Sequence, residues 1–196
     1  MIHSYLALGD SYTIGEGVPL YESFPYQTVQ LLRAAGLSFG PPEILARTGW
    51  TTDELQGAID GTRFLPQYDL VSLLIGVNNQ YRGRDTASYR VEFGALLSQA
   101  IDLAADRSHV FVLSIPDWGV SPFAEGRDIA AIAKAIDAYN AVAAGICAAE
   151  GIRFIDITPH SRMEGRGFTS DGLHPDGHQY HFWAQQLASS IQPIFS

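Results

Sequence analysis

Short apolar runs alternate with longer segments of helical periodicity along the 196 residues of the chain. The clearest run, residues 69–75, is almost continuously apolar, which is typical of a strand buried on both faces of a parallel sheet. It stops at Gly76, as two other runs stop at Gly9 and Pro116, because these residue types interrupt regular structure. The pattern predicts five strands, at residues 5–8, 43–46, 69–75, 109–115 and 153–156.

The segments between the strands have apolar residues at intervals of three and four, which predicts amphipathic helices. Gly36 marks the end of one helix, Thr51 or Thr52 caps the start of another, and Pro175 suits the first position of the last. The predicted helices cover residues 24–35, a segment from 52, about 88–105, 128–149 and a segment from 175.

This alternation of strands and helices predicts the fold class. Strands that alternate with helices require crossover connections, which produce a parallel sheet covered by helices on both faces. We therefore predict a single domain over residues 1–196, an α/β three-layer sandwich with a flavodoxin-like five-stranded parallel sheet. Ligands bind such sheets at the carboxyl ends of the strands, so the loops that follow the strands are the expected place for chemistry.

Charge and cysteine content narrow the classes of protein to which the chain can belong. The 12 basic and 21 acidic residues give a formal net charge of −9, which argues against a nucleic-acid partner. Cys147 is the one cysteine, so an intramolecular disulfide is excluded, and its apolar neighbours favour a buried side chain over a reactive thiol. We expect no membrane span and no secretion signal, and therefore a cytoplasmic location, with a secreted chain whose signal was removed as the alternative.

Two polar motifs near the ends of the chain hold the residue types of a nucleophilic mechanism. Ser11 follows the first strand, where a strand-to-helix turn exposes a hydroxyl. Asp171 and His174 are three residues apart, so the carboxylate can hold the imidazole in the tautomer that accepts a proton. Such a base activates a serine hydroxyl, which is otherwise a weak nucleophile. Taken singly, each motif is more often a turn or a helix cap than a catalytic group.

Two further loops offer hydrogen-bond donors for a developing negative charge. Asn78 follows the third strand, and its amide donates without titrating. Gly49 follows the second strand and presents an unobstructed backbone N–H. With the N–H of Ser11 they predict an oxyanion hole of three donors, a device in which one donor typically contributes ~10²–10³ in rate.

The order of these motifs resembles that of the SGNH (GDSL) hydrolase family over nearly the whole chain. The motifs are Gly9-Asp10-Ser11, Gly49, Gly76-x-Asn78 and Asp171-x-x-His174. The resemblance implies an esterase or acylhydrolase that needs no cofactor. It also implies that Ser11 is the nucleophile, that Asp171 and His174 complete the triad, and that Gly49 and Asn78 are oxyanion donors.

The chain departs from the family pattern at position 79, and it lacks the serine motif of the α/β-hydrolases. The family usually has an aspartate where this chain has Asn79, which changes whatever support that acid gives. No Gly-x-Ser-x-Gly surrounds Ser11, because Tyr12 and Thr13 follow it, and this disfavours an α/β-hydrolase.

Side chains near the motifs are candidates for contact with a small-molecule ester. Aromatic rings stack on sugars or hold acyl chains, and a chain of this length has little room for a lid. We expect short acyl groups, such as acetyl on carbohydrate, with lysophospholipid or thioester hydrolysis as the alternative. The candidate substrate-binding residues are Tyr12, Trp50, Asn79, Tyr81, Arg82 and Trp118.

Three other functions compete with this hypothesis. The first is a metal site, because several potential ligands are close in sequence, but a His-Glu-x-x-His motif is absent. The second is a binding module that has lost catalysis, and the third is flavin binding, which rests on fold analogy alone. We favour no metal, and the oligomeric state is left open. The potential ligands are Asp171, His174, Asp176, His178 and His181.

Overall fold

The computed structural model describes residues 2–163 and 165–196 and contains one five-stranded sheet. The strands are β1 (Tyr5–Asp10), β2 (Glu43–Arg47), β3 (Leu70–Leu74), β4 (Val110–Leu113) and β5 (Arg153–Ile155). Their order across the sheet is β2-β1-β3-β4-β5, and each neighbouring pair is parallel. Strands β1 and β3 are buried along their whole length, as the continuous apolar run predicts.

Helices cover both faces of this sheet, so the predicted three-layer α/β sandwich is confirmed. Helices α2 and α8 pack on each other in one layer, while α3 packs on α5 and α5 on α6 in the other. The helices are α1 (Ser11–Ile14), α2 (Phe24–Ala34), α3 (Thr52–Asp60), α4 (Val77–Tyr81), α5 (Thr86–Leu103), α6 (Ile129–Glu150), α7 (Thr158–Ser161) and α8 (Gly177–Phe195).

The boundaries of the longer helices agree with the predictions to within two residues, and the start of the last helix is set by a side-chain cap. The last helix begins at Gly177 rather than at Pro175, because the Asp176 carboxylate caps it by accepting the Gln179 N–H at 3.0 Å. Pro175 instead forms a β-bridge with Phe168. The short helices α1, α4 and α7 were not predicted, since four or five residues show no helical period.

Helix α6 is the one helix among the described residues that is long and apolar enough to cross a membrane by length and composition. The sequence pattern predicts no such segment. In the fold, α6 packs against α5 and β5 and buries Ile132, Ile136 and Cys147. Burial raises the pKa of the Cys147 thiol to about 12, so this cysteine behaves as a small apolar residue.

Candidate active site

Ser11 lies where β1 ends and α1 begins, at the carboxyl edge of the sheet. The Asp10 carboxylate caps the helix by accepting the Tyr12 N–H at 3.0 Å, which holds the turn in place. As the first residue of α1, Ser11 has an N–H without an intrahelical acceptor. Its side chain is only 5% exposed, so its hydroxyl faces the cavity described below rather than bulk solvent.

The predicted pair Asp171 and His174 is hydrogen-bonded in the loop that precedes α8. His174 Nδ1–H donates to Asp171 Oδ2 at 2.6 Å, which leaves Nε2 as the proton acceptor. The other carboxylate oxygen accepts the N–H groups of Leu173 at 2.8 Å and His174 at 3.0 Å and the Thr169 hydroxyl at 2.8 Å.

These contacts decide the charge of Asp171. Partial burial by itself would raise the pKa of its carboxyl, but the hydrogen bonds from His174, Leu173 and Thr169 hold that pKa well below its ordinary value. The group is therefore an anion near neutral pH. An anion at this position is the group that stabilises an imidazolium in a Ser-His-Asp arrangement.

Asn78 and Gly49 lie in adjacent loops, at the ends of β3 and β2. The Asn78 side chain is oriented by a 2.9 Å hydrogen bond from Nδ2 to the Trp50 carbonyl. The same Nδ2 atom is 3.5 Å from Asp10 Oδ2, a distance at which a hydrogen bond is weak. Gly49 adopts a φ of +83°, and its N–H makes no hydrogen bond within the described part of the chain. Side-chain amides and free backbone N–H groups are both donors to oxyanions; of these two residues, Asn78 lines the cavity described below and Gly49 does not.

Ser11 and His174 line one cavity of about 150 Å³. Tyr81, Trp118 and Phe123 form one wall of the cavity. The indole N–H of Trp118 donates a 2.7 Å hydrogen bond to Gln80 Oε1, which fixes that ring. The Arg127 guanidinium lies 4.9–5.5 Å from the centres of the same three rings, which holds them together. The lining residues are Ser11, Tyr12, Val77, Asn78, Tyr81, Trp118, Phe123, Leu173 and His174.

Three of the six candidate substrate-binding residues line this cavity, and three do not. Tyr12, Tyr81 and Trp118 belong to its wall. Trp50, by contrast, is half-buried against the core and presents its carbonyl to Asn78. These positions could not be separated by sequence, since all six residues follow strands in the same way.

Asn79 and Arg82 support neighbouring loops instead of lining the cavity. Asn79 is fully buried, accepting the Thr52 N–H at 3.1 Å and donating to the Thr52 hydroxyl at 2.6 Å. Arg82 donates to the Gly49 carbonyl at 2.6 Å and to Glu54 at 3.2 Å, so it anchors the loop of Gly49. Neither side chain lines the cavity, and both have protein partners, so their contact with a substrate stays a prediction.

Sequence reasoning missed two acidic residues beside the site. Burial raises the pKa of Asp10 to about 7, although the hydrogen bond from the Tyr12 N–H opposes the rise. Glu16 places a carboxylate oxygen 4.0 Å from Nε2 of His174. Asp10 could have been identified from the sequence because it directly precedes Ser11. No local pattern indicates that Glu16 lies near His174.

The potential metal ligands near the last helix do not form a cluster. No group of three histidine, cysteine or acidic side chains with metal-binding geometry is found in residues 2–163 and 165–196. His181 Nδ1 contacts Gln27 Oε1 at 2.6 Å, and His178 is exposed on the helix surface. The Asp171 and His174 side chains are bonded to each other.

Known proteins resemble this chain in sequence profile and in fold. The sequence profile of the GDSL-like Lipase/Acylhydrolase family matches residues 7–182. A lipase/acylhydrolase from Enterococcus faecalis is 17% identical, with a TM-score of 0.80 over 100% of this chain and 98% of that chain. An acetylxylan esterase from Geobacillus stearothermophilus is also 17% identical, with a TM-score of 0.74 over 96% of this chain and 94% of that chain. No curated protein sequence shows significant similarity.

At such low identity the structural matches demonstrate a shared fold. The family profile goes further, because it spans each loop that contributes to the cavity, from Ser11 to His174. The chain therefore belongs to the GDSL-like lipase/acylhydrolase family and is a hydrolase of ester bonds.

Proposed function

We propose that the protein is a serine esterase that cleaves short-chain acyl esters, acetyl esters above all, through an acyl-enzyme. One observation supports the proposal most directly: Ser11, Asn78 and His174 line a single small cavity whose remaining walls are largely apolar. The three polar residues supply a nucleophile, an oxyanion donor and a base. The apolar walls suit the hydrocarbon part of an acyl group.

The reaction follows from the roles of these groups. His174 Nε2 takes the hydroxyl proton of Ser11 as Ser11 Oγ attacks the ester carbonyl, and the oxyanion accepts hydrogen bonds from Ser11 N–H, Gly49 N–H and Asn78 Nδ2. When the tetrahedral intermediate collapses, the bond to the alcohol oxygen breaks and His174 returns the proton to that oxygen. Water then attacks the acyl group on Ser11 by the same steps and releases the acid.

The size of the cavity favours a short acyl group. Its volume of about 150 Å³ is below the roughly 300–1,000 Å³ of pockets that hold drug-sized ligands. The wall of Tyr81, Trp118 and Phe123 is held together by Arg127, so a chain that extends through this wall would have to displace a cation–aromatic cluster. The acetylxylan esterase among the structural relatives is consistent with an acetyl substrate on carbohydrate.

Replacement of the nucleophile tests the mechanism. We expect Ser11→Ala to lower kcat on an acetyl ester by at least ~10³-fold with an unchanged circular-dichroism spectrum. Ser98→Ala is a matched control, because Ser98 is exposed on α5 and bonds only to the Gly94 carbonyl. Near-native activity of Ser11→Ala would exclude this mechanism.

A panel of esters tests the substrate. It compares acetyl, butyryl and octanoyl esters of one alcohol with an acetylated sugar, a lysophospholipid and an acyl thioester. We expect kcat/KM to be highest for acetyl or butyryl and to fall at octanoyl. A preference for long chains would favour the lysophospholipase or thioesterase alternative, and no turnover of any compound would favour a binding module.

A further inference from the structure

Glu16 lies beside the base of the site but outside the acyl cavity. Its Oε2 atom is 4.0 Å from His174 Nε2 and accepts a hydrogen bond from the Thr48 hydroxyl. The side chain is 35% exposed, so a ligand can reach it. Glu16 is not among the residues that line the cavity of about 150 Å³.

The backbone around Glu16 is built to bring it close to His174. Gly15 ends α1 with a φ of +74°, and Gly17 follows with a φ of +82°, a region that favours glycine. A Cβ atom on Gly17 would lie 2.7 Å from the Thr169 side chain. The loop of Glu16 is therefore pressed against the loop that begins at Thr169 and ends at His174.

The position of Glu16 has a direct consequence for the leaving alcohol. In ester cleavage His174 Nε2 protonates the alcohol oxygen, so that oxygen must come within about 3 Å of Nε2. A carboxylate 4.0 Å from the same atom then neighbours the carbons next to the alcohol oxygen. The acyl group is proposed to occupy the aromatic cavity, and Glu16 is not among the residues that line it, which leaves the neighbourhood of Glu16 to the alcohol.

We propose that Glu16, held by Thr48, forms a leaving-group subsite that accepts a hydrogen bond from a hydroxyl adjacent to the ester oxygen. The alcohol of the substrate is then a polyol or a sugar. The inference rests on the proposed esterase activity and specifies its alcohol. It also disfavours lysophospholipids, because a carboxylate at this place repels a phosphate close to the ester.

A matched pair of esters tests the subsite. 2-Hydroxyethyl acetate and 2-methoxyethyl acetate have the same acyl group and similar leaving groups, but only the first has a hydroxyl donor next to the ester. For the wild-type protein we expect kcat/KM to be about tenfold higher for the hydroxyethyl ester, since hydrogen bonds to charged groups are the stronger ones. The ratio should fall close to one in Glu16→Ala.

Two further variants show whether the change in the ratio is specific to the Glu16 carboxylate. In Glu16→Gln the amide oxygen still accepts a hydrogen bond, so an intermediate ratio is expected from a nearly isosteric side chain. Glu150→Ala is the control, because Glu150 pairs with Arg107 at the surface and its removal should leave the ratio unchanged. Circular dichroism verifies that each variant is folded, and Glu16→Gln serves the test if Glu16→Ala does not fold.

The ratio separates the subsite from other roles of Glu16. An effect of its charge on His174 would change the rates of both esters by the same factor, so an unaltered ratio in both Glu16 variants would overturn the proposal. A wild-type ratio near one would also overturn it. If the wild-type protein hydrolyses neither acetate, the proposed esterase function itself fails, which is a different result.

Discussion

Asn79 occupies the position where related hydrolases usually have an aspartate, and its neighbours account for the amide. The Asn79 side chain accepts the Thr52 N–H at 3.1 Å, a role that a carboxylate also fills. Its Nδ2 atom, however, donates to the Thr52 hydroxyl at 2.6 Å and to Glu92 Oε2 at 3.3 Å. A carboxylate at position 79 would have no proton to donate to Glu92. An amide has one, so asparagine is the residue that can hydrogen-bond to the neighbouring Glu92 carboxylate.

The contact between Asn79 and Glu92 predicts that an aspartate at position 79 destabilises the protein. We expect Asn79→Asp to lower the free energy of unfolding at pH 8 by about 1–3 kcal/mol, because two buried or half-buried carboxylates then face each other. Urea denaturation measures the change. The double variant Asn79→Asp/Glu92→Gln should regain most of the loss, and a double variant no more stable than Asn79→Asp would contradict the explanation.

The buried carboxyl of Asp10 predicts a dependence of stability on pH. Because burial raises its pKa in the folded protein from 3.8 to about 7, folding favours the protonated form. The resulting stabilisation is complete below pH 3.8 and is lost as the pH rises through about 7. In Asp10→Asn the side chain is neutral throughout, so this loss is removed.

The thermal midpoints of the two proteins therefore diverge with pH. We expect Tm of Asp10→Asn minus Tm of the wild-type protein to increase between pH 4.5 and pH 8, whatever its starting value. The low pKa of Asp171 acts in the opposite direction, but both proteins share it and it cancels in the difference. A difference that stays constant over this range would show that Asp10 does not titrate there.

At the scale of elements, the junctions between strands and short helices position the polar groups. Asn78 is the second residue of α4, which begins directly after Gly76 at the end of β3. Gly76 adopts a φ of +129°, and a Cβ atom there would lie 2.7 Å from the Tyr89 ring. The turn that directs Asn78 toward the cavity thus needs a residue without a side chain.

Substitution of this glycine should affect both stability and catalysis. We expect Gly76→Ala to lower the free energy of unfolding by about 1–3 kcal/mol and to reduce kcat, since the turn must shift and Asn78 with it. Gly145→Ala is the matched control: Gly145 lies exposed within α6 with open space around it. That change should instead stabilise the protein by up to about 1 kcal/mol, as alanine favours helix over glycine. Equal effects of the two substitutions in denaturation and kinetics would contradict the role of Gly76.

At the scale of the whole molecule, both halves of the chain share one sheet and one core. Strand β1, from the start of the chain, pairs with β2 and β3 near the middle of the sheet. Helix α8, from the end of the chain, packs on α2 and buries Trp183 completely. Unfolding of one half of the chain would therefore break the sheet pairing and the helix packing of the other half.

We therefore expect one cooperative unfolding transition, as predicted for a single domain over residues 1–196. Tryptophan fluorescence, which reports on the buried Trp183 and Trp118 and the half-buried Trp50, should give the same urea midpoint as far-UV circular dichroism. Two separated midpoints would indicate two independently folding units.

The sequence by itself determined the strands, the longer helices, the fold class and the catalytic motifs of the family. Apolar periodicity, glycine stops and the order Ser11, Gly49, Asn78, Asp171 and His174 are properties of neighbouring residues and of their sequence along the chain. Because a parallel sheet brings the ends of its strands together, these local signals were sufficient to predict that the motifs meet at one edge.

Only the tertiary structure decided which side chains near that edge reach the cavity. Trp118 lines it whereas Trp50 does not, although both follow strands: the Trp118 indole is fixed by its hydrogen bond to Gln80, while Trp50 is half-buried elsewhere against the core. Glu16 approaches His174 through a close contact between loops more than 150 residues apart. Side-chain direction and contacts between distant loops depend on packing, and packing is set by the whole fold rather than by any local pattern.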